Sequence, residues 1–519
     1  MTRLVIGLAV LVLLLAGAVA AVFAFSGVTL AGDPVALARL DVQTFGGTVE
    51  RIRATTADGA AVTLRDDGGR LTPRAPVAPG ERIDVAVVVK RPGWSAWLLG
   101  KTRHETLTVT APVVHLAEPW VTAHGGTASV RFDSALGRAT VSGRKATVHG
   151  RTVSFSAPTP AGTARVAAAA RSWERLGPSS RVTWFPAASR PVVLARPKPG
   201  ARITPVTHLE LTFSQPVSVV LGDKRPTLSE PVPGHWVEPD SHTLVFAPSG
   251  FGARFAHDLH VRLPAHVDIA AAGVPAHAAT SIAWSVAPAS FLRLQQLLAT
   301  EGYLPLDWAP TGDDVGRSVR SQVRAAIAPP PGRFTWRYPH TPPELQALWQ
   351  EGQPNMIVRG AVMMFQDEHH LTVDGIAGPA VSRAVLADAV AGKRRTDGYS
   401  YVYVHRDVPQ LLTLWHNGSI VLTSPGNTGV PAAPTALGTF AVFEHIPVGR
   451  MSGTNPDGSH YDDPGIRWIS YFHGGEALHA FNRASFGTPQ SLGCVELPLA
   501  SAAEVWPYTP IGTLVTIEN

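Results

Sequence analysis

The chain has 519 residues, 45% of them hydrophobic and 16% charged, with a formal net charge of +5. That apolar content excludes a disordered stalk, and the length asks for several packed domains, about three to five. The mild positive charge suits an anionic cell envelope, but no basic run or basic-aromatic strip marks a nucleic-acid binder, so none is expected as a partner.

The chain starts with one basic side chain, Arg3, and then carries no charged or strongly polar residue from Leu4 to Phe25. At about 1.5 Å rise per residue this run spans roughly 33 Å, enough for the hydrocarbon core of a bilayer. It exceeds the usual core of a cleaved signal peptide, about 7–15 residues. Residues 1–27 are therefore expected to form a transmembrane signal anchor, with the rest exported, or secreted if the chain is cleaved after Ala18-Val19-Ala20.

Residues 28–190 read as β-structure. Segments such as Glu81–Val89 and Thr106–Thr110 alternate with period two, and 145–155 reads as a hairpin turning at His149-Gly150. The expectation is a β-sandwich module over 28–115, a β module over 116–190, and an immunoglobulin-like module over 191–288 after the joint Arg196-Pro197-Lys198-Pro199-Gly200. The last resembles the immunoglobulin-like spacers of bacterial surface proteins.

The period becomes helical near 290. Phe291, Leu294, Leu297 and Leu298 form one stripe, and Val358, Ala361, Val362 and Phe365 a second. A turn, Val373-Asp374-Gly375-Ile376-Ala377-Gly378, then leads to a helix opened by Pro379. In this order the elements resemble a small three-helix peptidoglycan-binding domain, here over 289–396. The departure is a segment, 305–356, inserted between its first two helices.

From Tyr399 the pattern returns to β, with a hairpin signalled by Asn417-Gly418 and a polar, Gly-rich stretch, Arg450 to Asp463, expected as a mobile flap. Cys494 is the only cysteine, so it cannot form an intramolecular disulfide. It follows Ser491-Leu492-Gly493, and His479 lies upstream. A thiol with an ordinary pKa of about 8.5 is only a few per cent thiolate at neutral pH and needs an imidazole to take its proton. Gly493 would let the backbone bend so that its N–H and that of Cys494 face a developing oxyanion. His473 reads as a supporting residue. No His/Asp/Glu cluster has metal-ligand spacing, so neither a metal nor another cofactor is expected.

His479, Ser491, Gly493, Cys494 and Val495, with the Pro434-Thr435-x-x-Gly438-Thr439-Phe440 segment and the closing strand Gly512–Ile517, resemble the catalytic domain of the L,D-transpeptidases. The resemblance implies a β-sandwich-like catalytic domain over 397–519 that crosslinks peptidoglycan stem peptides through a Cys494 thioester, with His479 as base. Tyr461 then corresponds to a substrate-contacting flap tyrosine. Two residues depart from the family motif: Leu492 replaces a histidine, and Glu496 replaces an Arg or Asn. A carboxylate there raises the thiol pKa unless a cation offsets it. The overall expectation is a mainly β, multidomain, monomeric acyltransferase whose partners are peptidoglycan stems and glycan and the cytoplasmic membrane. The alternatives are an L,D-carboxypeptidase of the same fold and a wall-binding scaffold whose catalytic domain has decayed.

Overall fold

The computed structural model describes residues 2–159, 161–271 and 274–519. Its first element is a helix, Thr2–Ala24. The expected transmembrane helix needs correction: among the described residues no helix is long and apolar enough to cross a membrane. Side chains are described from Leu8 onward, so the opening of the apolar run lies outside them.

Residues 28–110 form a four-stranded and a three-stranded sheet around one apolar core. The strand Arg82–Lys90 buries alternate residues, Ile83, Val85, Val87 and Val89, as its period-two pattern requires. Trp173 from the next module is buried in this core and donates its indole N–H to the Val35 carbonyl at 2.9 Å. Residues 120–186 form a seven-stranded sheet. Within it the hairpin Arg144–His149/Thr152–Ser156 turns at Gly150, where φ is +61°. Between 192 and 286, a six-stranded and a four-stranded sheet enclose a third core that includes Leu211, Phe213, Leu244 and Trp284.

Of the first helical stripe Leu297 and Leu298 are buried and Phe291 and Leu294 only partly so, while all of the second, Val358, Ala361, Val362 and Phe365, is buried. The turn before Pro379 is tied down by Gln366. Its amide accepts from the Asp374 and Gly375 N–H groups and donates to the Asp374 carboxylate at 2.7 Å. The inserted segment 305–356 is built rather than loose. It holds the hairpin Leu306–Pro310/Gly332–Trp336 and the helices Val319–Ile327 and Pro343–Ala347.

The C-terminal domain has two sheets. The first contains β1 (Ser400–His405), β2 (Leu411–His416), β3 (Ser419–Pro425), β4 (Gly438–Ala441) and, last in the chain, β9 (Leu514–Glu518), in the order β3-β2-β1-β9-β4. Asn417 and Gly418 both have positive φ, as a two-residue hairpin turn demands. The second sheet runs β5 (Glu444–Thr454), β6 (His460–His473), β7 (Glu476–Ala480) and β8 (Val495–Leu497). Val402, Leu414, Phe472, Leu478, Val495 and Val515 belong to one core drawn from both sheets. The stretch expected as a mobile flap is instead the far end of the β5–β6 ribbon. Pairing continues to Thr454↔His460, and Arg450 and Asp462 are ion-paired across it.

The helix Met356–Glu368 is buried almost all round, which an amphipathic stripe does not predict. One side packs on the other helices; the other meets the first C-terminal sheet. A Cβ on Gly360 would lie 2.4 Å from the Gly512 carbonyl oxygen, and one on Gly512 would lie 2.3 Å from that of Gly360. The core cluster of the helices accordingly includes Tyr399, Tyr401, Trp415 and Leu514 from the C-terminal domain.

Candidate active site

β7 and β8 are parallel neighbours, with Leu478 opposite Val495 and His479 opposite Glu496. The register brings Cys494, the residue entering β8, beside the strand that carries His479. In a strand, every second side chain shares a face. His479 and its cross-strand neighbour Glu496 therefore share one face of the second sheet.

The loop ahead of β8 is held tightly. Ser491 is buried, and its hydroxyl donates to the Cys494 carbonyl at 2.5 Å while accepting the Gly493 N–H at 3.3 Å. Its backbone N–H donates to the Thr428 carbonyl, and its carbonyl accepts from Val430. Gly493 sits at φ +111°, a conformation that a side chain rarely tolerates. A Cβ there would come within 3.1 Å of Glu476 Oε1. Of the two N–H groups expected to face an oxyanion, the one on Gly493 is thus turned toward Ser491.

His479 is 3% exposed, and its Nδ1 lies 3.0 Å from the carbonyl oxygen of Ala480. That carbonyl can only accept, so Nδ1 carries the hydrogen and Nε2 is left as the acceptor. Burial holds the imidazole below its ordinary pKa, and the Ala480 carbonyl pulls weakly the other way. The site therefore rests with a neutral histidine.

Cys494 is partly buried, packed against the small cluster of Ile466, Ile469 and Ala477. Burial pushes its thiol up to about 11, the Glu496 and Glu476 carboxylates add to this, and the Ala477 N–H acts against it. The thiol contacts the Gly475 carbonyl at 3.7 Å. A neutral thiol, entering the strand next to the one that carries a neutral imidazole, is suited to losing its proton as it attacks rather than beforehand.

The cation required to offset Glu496 is present. Arg483, between the histidine and the cysteine in sequence, grips that carboxylate with two hydrogen bonds, 2.8 Å from Nε and 2.7 Å from Nη2. Its other Nη2 contact is the Gln490 carbonyl, in the loop before Cys494. A bidentate guanidinium–carboxylate pair is geometrically specific and neutralises the charge locally. Sequence reasoning missed Arg483 because nothing local announces a partner thirteen residues away.

Tyr461, on the ribbon strand β6, folds back over Gly453; a Cβ there would be 2.7 Å from its hydroxyl. Burial raises the Tyr461 pKa, and the negative charge on Cys494 adds to it, as it does for Tyr471. Both phenols are thus close enough to feel the sulfur, although only Tyr461 was singled out by sequence. His473 lies outside this group, half exposed and 3.3 Å from Glu476. Glu476 and Asn427 were not anticipated. The Glu476 carboxylate accepts from the Ala436 N–H, while the buried Asn427 side chain accepts from Gly487 and its backbone exchanges hydrogen bonds with Glu496.

The two-sheet domain thus carries a thiol at the entrance to one strand and a buried, singly oriented imidazole on the next. Residues 399–517 match the family model YkuD, the L,D-transpeptidase catalytic domain, and the C-terminal domain belongs to that family. That family is one of peptidoglycan transpeptidases, a class of acyltransferase. Among solved structures, an L,D-transpeptidase from Mycobacterium smegmatis is 12% identical, covering 63% of this chain and 99% of its own, with a TM-score of 0.22. L,D-transpeptidase 3 from Mycobacterium tuberculosis is 10% identical, covering 63% of this chain and 97% of its own, with a TM-score of 0.21. The catalytic domain of the E. faecium L,D-transpeptidase is 22% identical, covering 24% of this chain and 100% of its own, with a TM-score of 0.22. A comparison with curated proteins finds no match.

Proposed function

We propose that the chain is a peptidoglycan L,D-transpeptidase acting through a covalent Cys494 thioester. The Cys494 sulfur attacks the carbonyl of an L,D amide in a donor stem peptide as its proton passes to His479 Nε2. The carbon–nitrogen bond then breaks, and the same proton goes to the departing amine of the terminal D-amino acid. An acceptor amine on a second stem displaces the sulfur, with His479 taking a proton from the amine and returning one to the thiolate. Ser491 and Gly493 position the cysteine, and Tyr461 lies over the substrate. The observation that carries this reading is the orientation of His479, whose Nδ1 is committed to the Ala480 carbonyl on the strand beside Cys494.

The test is incubation of the full chain with a tetrapeptide-stem muropeptide, followed by mass spectrometry. A Cys494 acyl adduct with a dimeric product is the expected result. Tripeptide alone would make the enzyme a hydrolase, and a Cys494 unreactive both here and toward a carbapenem would overturn the enzymatic reading in favour of a scaffold. Acylation should also have an acid limb. Because the His479 pKa is depressed, acylation falls only as the pH drops through a value below the ordinary histidine range of about 6.5.

The location that suits this chemistry is the outer face of the cytoplasmic membrane. The uncharged run from Leu4 to Phe25 supports export. Export is tested by whether the full chain is recovered outside the cytoplasm while a chain lacking residues 1–27 is retained; retention of both would overturn it.

A further inference from the structure

Two carboxylates bear on Cys494, and the fold treats them differently. Glu496 is gripped by the Arg483 guanidinium, which neutralises its charge locally. Glu476 has no such partner: among the described residues its only ion-pairing contact is His473 Nδ1, at 3.3 Å. Its remaining hydrogen bonds are long, with the Ala436 N–H 3.2 and 3.3 Å from the two oxygens. A carboxylate offers about four acceptor positions, so much of its capacity stays open.

Glu476 is the first residue of β7, directly after the exposed turn Gly474-Gly475. The Cys494 sulfur lies at the same corner, 3.7 Å from the Gly475 carbonyl and within reach of the Ala477 N–H. Glu476 therefore sits between the two backbone groups that meet the thiol. Its carboxylate also packs on the nucleophile loop, where a Cβ on Gly493 would come within 3.1 Å of Oε1. Phe440, whose ring centre is 4.5 Å from that of His473, closes one side. The Glu476 side chain is 16% exposed, sheltered enough for its charge to act and open enough to be reached.

A carboxylate here hinders the first half of the reaction, because its charge adds to the push that holds the thiol above its ordinary pKa. Glutamine would span the same contacts without that cost. The penalty vanishes once the sulfur is acylated, since a thioester carries no charge. What arrives next is an amine, mostly an ammonium at neutral pH, and an uncompensated carboxylate beside the acylated sulfur attracts it. Water, the competing acceptor, gains nothing from that charge.

We propose that Glu476 selects the acceptor: its carboxylate draws a cationic amine to the acylated cysteine and favours transfer to an amine over transfer to water. The inference rests on the thioester reading above and extends it to the choice of acceptor. The ammonium gives one proton to solvent before its nitrogen attacks, and the transfer then runs through His479 as described. Glu476 forms no bond to carbon.

The test acylates the full chain with a tetrapeptide-stem muropeptide at about pH 7.5 and partitions the adduct between methylamine, cationic there, and hydroxylamine, neutral there. Glu476→Gln should move the two half-reactions in opposite directions. Adduct formation and iodoacetamide alkylation should rise about threefold. The KM for methylamine should rise about fivefold, with more tripeptide relative to dimer, while the KM for hydroxylamine stays put. Glu476→Asp, which keeps the charge, should restore the preference for methylamine. A loss in both half-reactions would make Glu476 merely structural, and an unchanged methylamine KM would also overturn the inference. If Glu476→Gln fails to fold, the parent decides: salt should raise the KM for methylamine alone, and a salt-independent value would overturn the inference. A parent that forms no adduct removes the thioester reading and this inference with it, whereas an adduct whose partition ignores Glu476 removes the inference alone.

Discussion

The two halves of the molecule solve the problem of joining domains differently. Toward the N-terminus each β module has a main core of its own, and the joints are smaller: Trp173 plugged into the first module, Trp120 stacked on His242, Arg181 paired with Glu210, and a small apolar cluster of Phe185, Val192, Leu194 and Ala270 between the second and third. Toward the C-terminus the helices and the first catalytic sheet share one core, with Tyr401 and Trp415 fully buried between them. Each such aromatic contributes about 2–3 kcal/mol by burial, while an exposed ion pair like Arg181–Glu210 contributes about 1 kcal/mol or less. The first half is joined through limited contacts; the second is built on one shared core, with the Cys494 loop in its catalytic domain.

The strongest test of that division separates chemistry from architecture. Cys494→Ala should abolish acyl-adduct formation, a loss of at least about a thousandfold in turnover, with no change in melting of either half. A melt that shifted by many degrees would mean that the cysteine is structural.

Next in size, Gly512→Ala forces a methyl group into the Gly360 carbonyl at a residue with φ +89°. The expected cost is about 3 kcal/mol or more, lowering the melting of the helical and catalytic parts together. Gly125→Ala, at φ +57° with open space around it, should cost about 1 kcal/mol and leave the C-terminal transition in place. Equal effects would dissolve the comparison.

Glu496→Gln removes a carboxylate that raises the Cys494 pKa and frees Arg483 to act on the thiolate. Alkylation by iodoacetamide should therefore titrate about one unit lower, with about 2 kcal/mol of stability lost from the broken pair. An unmoved thiol pKa would show that the pair has no bearing on reactivity. The smallest effect is expected from Tyr461→Phe, which keeps the ring over Gly453 and should slow acylation only a few-fold, about 1 kcal/mol. A loss comparable to that of Cys494→Ala would put the phenol in the proton path.

Local chemistry was legible in the sequence; long-range pairing was not. The lone thiol, the glycine before it and the Asn417-Gly418 turn carry their meaning within a few residues, and the upstream histidine is found on the strand next to the one that Cys494 enters. The grip of Arg483 on Glu496 depends on the register of β7 and β8, which no local pattern encodes. The same holds for the Arg450–Asp463 stretch. Its glycines and polar residues read as loop, but cross-strand pairing makes it a ribbon. Met356–Glu368 looked amphipathic because apolar periodicity reports the first face a helix buries, while Gly360 on the other face left no hydrophobic signature. The 305–356 segment gave only aromatics and prolines, and its hairpin is evident from Trp308 pairing with Phe334.

The strand β9 lies between β1 and β4, pairing Tyr401 with Leu514 in parallel. During synthesis the first strands of the catalytic sheet therefore emerge long before the strand that must lie beside them. Pairing across so long a stretch of chain is slow and leaves β1 with an unpaired edge in the meantime. The first catalytic sheet, and with it the close Gly360–Gly512 contact against the helices, is therefore complete only once residues 512–518 are in place.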